Sequence, residues 1–85
     1  MDIVFTECSS EYCARHFVER RILCKLNKEV QGFITVSDDK IFFAFGKPSQ
    51  RQYIAFYTDS VEKAKERMRK YISNREKAGT GVTAL

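Results

Sequence analysis

Apolar and polar residues alternate through the middle of the chain in three runs rich in β-branched and aromatic side chains, residues 30–37, 40–46 and 51–58. Alternation with that composition predicts strands half-buried on one face. Asp38 and Asp39 fill a two-residue turn between the first two runs. Gly46, Lys47, Pro48 and Ser49 fill the second gap, where Pro and Ser preset turn geometry. The three runs therefore read as an antiparallel meander.

After Thr58 the period changes. Val61, Ala64, Met68, Tyr71 and Ile72 recur at helical spacing on one stripe, which predicts a helix that docks on the sheet and runs to about Lys77. Asp59 is the expected N-cap, with Glu62 three residues on completing a capping-box pattern. Gly79 marks the expected stop, and residues 79–85 read as a flexible tail. In the first third, Ser9 or Ser10 caps a helix whose stripe is Cys13, Ala14, Phe17 and Val18, but Arg21 falls within that stripe. Two readings stay open: the helix ends near Arg20 and residues 22–26 form a strand turning at Asn27 and Lys28, or the helix continues to Leu26. Residues 3–5 offer an edge strand. The expected fold class is α+β, a single domain over residues 1–78, with an antiparallel meander of three to five strands packed by a long C-terminal helix and a shorter N-terminal one.

Eighty-five residues leave room for one core only. No apolar run is long enough to span a bilayer, so no membrane partner is expected. Cys8, Cys13 and Cys24 are an odd number without a secretory context, which points to free thiols and a reducing, cytoplasmic setting. The net charge of +4 favours acidic partners. From Asp59 to Lys77 seven Lys or Arg stand against four Asp or Glu, so that helix carries most of the excess.

Catalytic chemistry has few carriers. His16 is the only histidine. A pair with Cys13 three residues earlier would need a group to orient the imidazole, and Cys13 lies on the apolar stripe. Cys8, Cys13, His16 and Cys24, with four, two and seven residues between them, do not make a standard zinc knuckle, and the cysteines read better as packing residues. Asp38 and Asp39 are turn formers, and no glycine-rich phosphate loop is present. Neither an enzyme nor a bound metal or cofactor is expected.

Pairing Ser37 with Lys40 and Gly46 with Arg51 sorts the side chains by parity. Ile34, Val36, Ile41, Phe43, Phe45, Ile54 and Phe56 share an apolar face that should meet the C-terminal helix. The other face collects Phe33, Lys40, Phe42, Arg51, Tyr53 and Tyr57 with small neighbours such as Ala44 and Ala55. Rings beside cations suit unpaired bases and their phosphates. The alternative is that the N-terminal helix covers this face and buries the same rings. On the C-terminal helix, Lys63, Arg67, Lys70, Asn74 and Lys77 form a basic row, which reads either as a phosphate-binding strip or as a solvated face trimmed by pairing of Glu66 with Lys70.

Three strands leading into a helix through Phe56, Tyr57, Thr58 and Ala64 resemble the sheet-and-helix DNA readers of the integrase arm-binding kind over less than half the chain. The dense base-reading arginines of such sheets are missing, so no residue role follows from the likeness. The expected function is a non-enzymatic, regulatory module for RNA or single-stranded nucleic acid, using Phe33, Lys40, Phe42, Arg51, Tyr53, Tyr57, Lys63, Arg67 and Lys70. The alternative is a small inhibitor or adaptor that binds another protein, such as an enzyme, in the manner of phage or mobile-element accessory proteins.

Overall fold

The stretch that fitted either helix or strand, Arg20–Leu26, is a strand. Its alternation decides the matter. Ile22, Cys24 and Leu26 point into the core, while Arg21 and Leu23 point to the opposite face, so the arginine that spoils a helical stripe is well placed in a pleat. The computed structural model describes residues 2–46 and 55–81, with side chains described for residues 2–46 and 55–75. Among these, five strands form one open antiparallel sheet in chain order: β1 (Ile3–Glu7), β2 (Arg20–Leu26), β3 (Glu29–Ser37), β4 (Lys40–Phe45) and β5 (Ala55–Thr58). Two helices complete the α+β domain, the short α1 (Ser10–Arg15) between β1 and β2, and the long α2 (Val61–Gly81) after β5.

The hairpin turns follow local chemistry. Asn27 and Lys28 both take positive φ, 52° and 71°, the requirement of a two-residue turn whose twist matches the strands. Asp38 also takes a positive φ, and Ser37 pairs with Lys40 across that turn as the sequence implies. At β4 and β5 the register differs from expectation. Phe43 lies opposite Phe56 and Ala44 opposite Ala55, two residues away from the frame set by Gly46 and Arg51. Cross-strand ring pairs account for the shift: Phe43 stacks on Phe56 at 5.5 Å and Phe42 meets Tyr57 at 5.8 Å. A slip of two preserves parity, so the two faces keep their residues. Residues 47–54, with most of the second turn and Arg51, Tyr53 and Ile54, lie outside the described residues.

Both helices start on serine. The Ser9 hydroxyl accepts from the Tyr12 N–H at 3.1 Å, and the Ser60 hydroxyl accepts from the Lys63 N–H at 3.1 Å. The cap of α2 is therefore Ser60 rather than Asp59, whose carboxylate instead pairs with Lys63 at 3.1 Å. That hydrogen bond holds the Asp59 carboxyl below its ordinary range. α2 continues through Gly79 to Gly81. A glycine inside a helix costs about 1 kcal/mol without forbidding it, so Gly79 is not the stop.

α2 lies on one face of the sheet. Ala64, Met68 and Ile72 are fully buried against Ile22, Cys24, Leu26, Ile34 and Phe43, with Ile3, Phe5, Ile41, Phe45 and Val61 at the margins. Each large apolar side chain so buried contributes about 1.5–3 kcal/mol. Met68 of the helix packs close over Gly32 of β3. A Cβ there would stand 2.5 Å from the Ala44 carbonyl oxygen and 2.6 Å from Met68 Cε.

α1 is shorter than its apolar stripe suggested, and the stripe does not hold. Only Cys13 is buried; Ala14 is exposed and Phe17 leaves the helix. The Val18 N–H donates to the Cys13 carbonyl at 3.0 Å and the Phe17 N–H to the Ala14 carbonyl at 3.3 Å, the two bonds of a Schellman closure. Phe17 occupies the left-handed position of that motif, with φ 56°, where glycine is the usual residue.

Candidate nucleic-acid interface

The face opposite α2 is divided. On its β2 and β3 side it is closed: Phe33, Thr35 and Ala44 are buried, and α1 reaches in through Tyr12, whose hydroxyl accepts from Arg21 Nη1 at 3.3 Å. On its β5 side it is open, with Tyr57 69% exposed beside half-buried Phe42, and Lys40 exposed at the strand start. Phe33 is thus a core residue of the second face and not part of a stacking platform. The sequence set this ring level with its neighbours because parity gives the face a side chain points to but not what covers it.

The basic row on α2 lies on the other face of the sheet, so the sequence-derived set is not one surface. Lys63 is engaged by Asp59. Arg67, Lys70 and Asn74 are exposed and line a groove of about 560 Å³ between α2 and the β4–β5 edge, together with Phe43, Phe45, Phe56 and Tyr71. The side chain of Lys77 lies outside the described residues. The rings run in continuous contact across the groove: Phe56 on Phe43 at 5.5 Å, Phe43 edge-on to Phe45 at 6.1 Å, and Phe45 on Tyr71 at 4.2 Å. Phe43 and Phe45 make the floor. Phe56 and Tyr71 stand at the two walls, 46% and 49% exposed.

The groove has a geometric origin. Five strands spaced by about 4.8 Å make a sheet about 19 Å wide, whereas a helix with its side chains is about 10–12 Å across. One helix cannot roof the whole face. On the β1 side the gap is filled by long basic side chains, with Arg69 and Lys65 over the Phe5 ring at 5.0 and 5.6 Å. On the β5 side nothing described fills it. Tyr71, about 60° round the helix from Met68 at 100° per residue, marks the border of the roof. The sequence pattern assigns all four rings of the groove to the core, which holds for Phe43 and Phe45, whereas Phe56 and Tyr71 stand half-exposed. Setting the strand count against the single helix available for that face would have exposed the shortfall.

Electrostatics follow the same division. Among the described residues the ion pairs join Arg20 to Glu7 and Lys63 to Asp59, so neither Arg67 nor Lys70 faces a carboxylate, and no pair forms between Glu66 and Lys70. The Arg20 guanidinium holds the Glu7 carboxyl below its usual range. Burial pushes the Cys24 thiol up to about 11 and raises the Cys8 thiol, which keeps both protonated and weakly nucleophilic at neutral pH. His16 stacks on Tyr12 at 4.1 Å, and its Nδ1 lies 2.9 Å from the Tyr12 carbonyl rather than on a thiol. Among the described residues no three His, Cys, Asp or Glu side chains converge as metal ligands would, and no helix is long and apolar enough to cross a membrane.

No protein-family model, curated protein or solved structure matches this chain.

Proposed function

We propose that the protein is a non-enzymatic binding module that takes RNA or another single strand, in preference to duplex DNA, in the groove between α2 and the β4–β5 edge. The observation that supports this reading is the juxtaposition of four aromatic rings with Arg67 and Lys70, two cations that have no carboxylate partner among the described residues. A base that is unstacked from its neighbours offers its face to Phe56 or Tyr71, with stacking worth about 1–3 kcal/mol per base. The phosphates on either side lie within reach of the helix row. Paired bases in a duplex cannot present those faces, which is why the single strand is favoured.

Salt dependence tests it. Wild-type protein should bind a short single-stranded RNA with an affinity that falls steeply with salt, followed by fluorescence anisotropy. Changing Arg67 and Lys70 together to Gln is expected to flatten log affinity against log salt by about 1.4 units, near 0.7 for each phosphate no longer neutralised. A wild-type protein that leaves the RNA free at low salt overturns the reading.

A second reading, docking to a protein, is favoured by Phe17. Its ring is 91% exposed and its backbone is left-handed, so the residue gains nothing from burial and bears a conformational cost of about 1–2 kcal/mol. Aromatic anchors on a rigid turn suit a pocket in a protein partner. Phe17→Gly is expected to raise folding stability by about 1 kcal/mol, read from the urea midpoint, because glycine accepts this geometry. RNA affinity should be unchanged, since Phe17 does not line the groove; a weaker affinity would bring Phe17 into the nucleic-acid site.

A further inference from the structure

Arg21 is charged at every pH a folded protein meets, and it is only 9% exposed. Burying a guanidinium is costly unless an anion accompanies it. None does: Arg21 belongs to neither ion pair found among the described residues. Its surroundings are neutral. Nε donates to the Thr35 hydroxyl at 3.2 Å, Nη1 donates to the Tyr12 hydroxyl at 3.3 Å, and the guanidinium carbon lies 5.1 Å from the Phe33 ring centre and 5.8 Å from that of Tyr12. Two of five N–H groups are used. The other three sit on Nη1 and Nη2, the end of the fork that grips two oxygens at once.

Nη2 donates to none of these groups, yet no buried side-chain nitrogen among the described residues lacks a hydrogen-bond partner. Nη2 therefore meets solvent, and the unused edge of the fork is the part of Arg21 that remains reachable. The Tyr12 hydroxyl accepts from Nη1 and so keeps its own proton to donate alongside. Thr35, Phe42 and Tyr57 continue the same cross-strand row toward the open β5 side of this face.

The geometry points to Arg21 as the centre of a phosphate-binding site on the face opposite α2, separate from the groove, in which the free guanidinium edge and the Tyr12 hydroxyl hold the oxygens of one phosphate group. The end of the fork engages two oxygens of a phosphate, and a third oxygen, which a carboxylate lacks, is left to accept from the Tyr12 hydroxyl. Bound there, the anion supplies the countercharge that the chain withholds.

The experiment is a nuclear magnetic resonance titration on the full chain with inorganic phosphate, at ionic strength held constant with chloride. The Arg21 Nε–Hε signal and the amides of Tyr12 and Thr35 are expected to shift saturably. In Arg21→Lys, whose point charge cannot form the fork, the amide shifts should need at least about tenfold more phosphate. Arg67→Gln with Lys70→Gln should leave the phosphate response intact, which keeps this site distinct from the groove. A short single-stranded oligonucleotide added to that groove variant separates the sources: movement at Arg21 assigns the site to a strand phosphate, and movement with inorganic phosphate alone assigns it to the free ion. If Arg21→Lys does not fold, Tyr12→Phe decides. It keeps the ring and removes the donor, so weaker phosphate binding supports the site and unchanged binding overturns it. Shifts no larger than those in chloride, or a response lost in the groove variant and kept in Arg21→Lys, also overturn it.

Discussion

Replacing Phe33 by Ala is expected to cost about 3–5 kcal/mol of folding stability, and replacing Tyr57 by Ala no more than about 0.5 kcal/mol. Both residues sit on the same face of the sheet, and from sequence both are aromatic residues in alternating strands. The structure separates them: Phe33 is fully buried with the Arg21 guanidinium over its ring, while Tyr57 is 69% exposed on the edge strand. Truncating Phe33 removes a large apolar side chain, leaves a cavity between β3 and its cover, and strips one of the two rings that shield a buried cation. A loss of that size is a large share of the 5–15 kcal/mol that domains commonly possess. Urea unfolding on both variants checks the pair. Equal midpoints for Phe33→Ala and Tyr57→Ala would mean that the second face is open along its whole width.

Gly32→Val is expected to cost about 3 kcal/mol or more, at the upper end of what overpacking does. The first added carbon already meets the Ala44 carbonyl oxygen at 2.5 Å and Met68 Cε at 2.6 Å. The methionine methyl can rotate aside. The carbonyl belongs to the β3–β4 ladder and cannot retreat without loss of pairing, so Met68→Ala in the same chain should restore only part of the loss. Thermal unfolding of the single and double variants measures this, and full recovery in the double variant would show that the helix side chain alone sets the close approach. The effect reaches the candidate site as well, because a helix lifted from β3 carries Arg67, Lys70 and Tyr71 away from Phe43 and Phe56.

Local rules made much of the architecture legible. Alternation gave the strands at residues 30–37 and 40–46, helical spacing placed Ala64, Met68 and Ile72 on one buried stripe, and parity sorted Ile34 and Phe43 from Phe33 and Thr35. Each of these needs only the chain's own periodicity. Where the reading departed from the structure, the deciding interaction lay elsewhere in the fold. Arg21 breaks a helical stripe but finds Thr35 and Tyr12 across a pleat. Ring pairing between Phe43 and Phe56 overrides the turn-based register. Phe17 follows the apolar stripe of α1 in sequence and then leaves it at a left-handed closure. The candidate interface is half legible: helical spacing gives the charged wall at Arg67 and Lys70 and parity puts Phe43 and Phe45 on the core face, but neither rule shows that Phe56 and Tyr71 stand half-exposed beside them.

The order β1-β2-β3-β4-β5 means that every strand pairs only with its neighbours in the chain. Such a sheet can form hairpin by hairpin, and pairings that are close in sequence favour rapid folding. The roof comes last. On a ribosome, which delivers chains from the N-terminal end, β1 to β5 emerge before Ala64, Met68 and Ile72. Until that helix arrives, Ile22, Ile34 and Phe43 have no cover on their face, and the nascent sheet is an adhesive surface. The helix is therefore the late cover of the sheet, and as it closes it replaces an apolar surface with its own outer side, where Lys63, Arg67 and Lys70 are exposed.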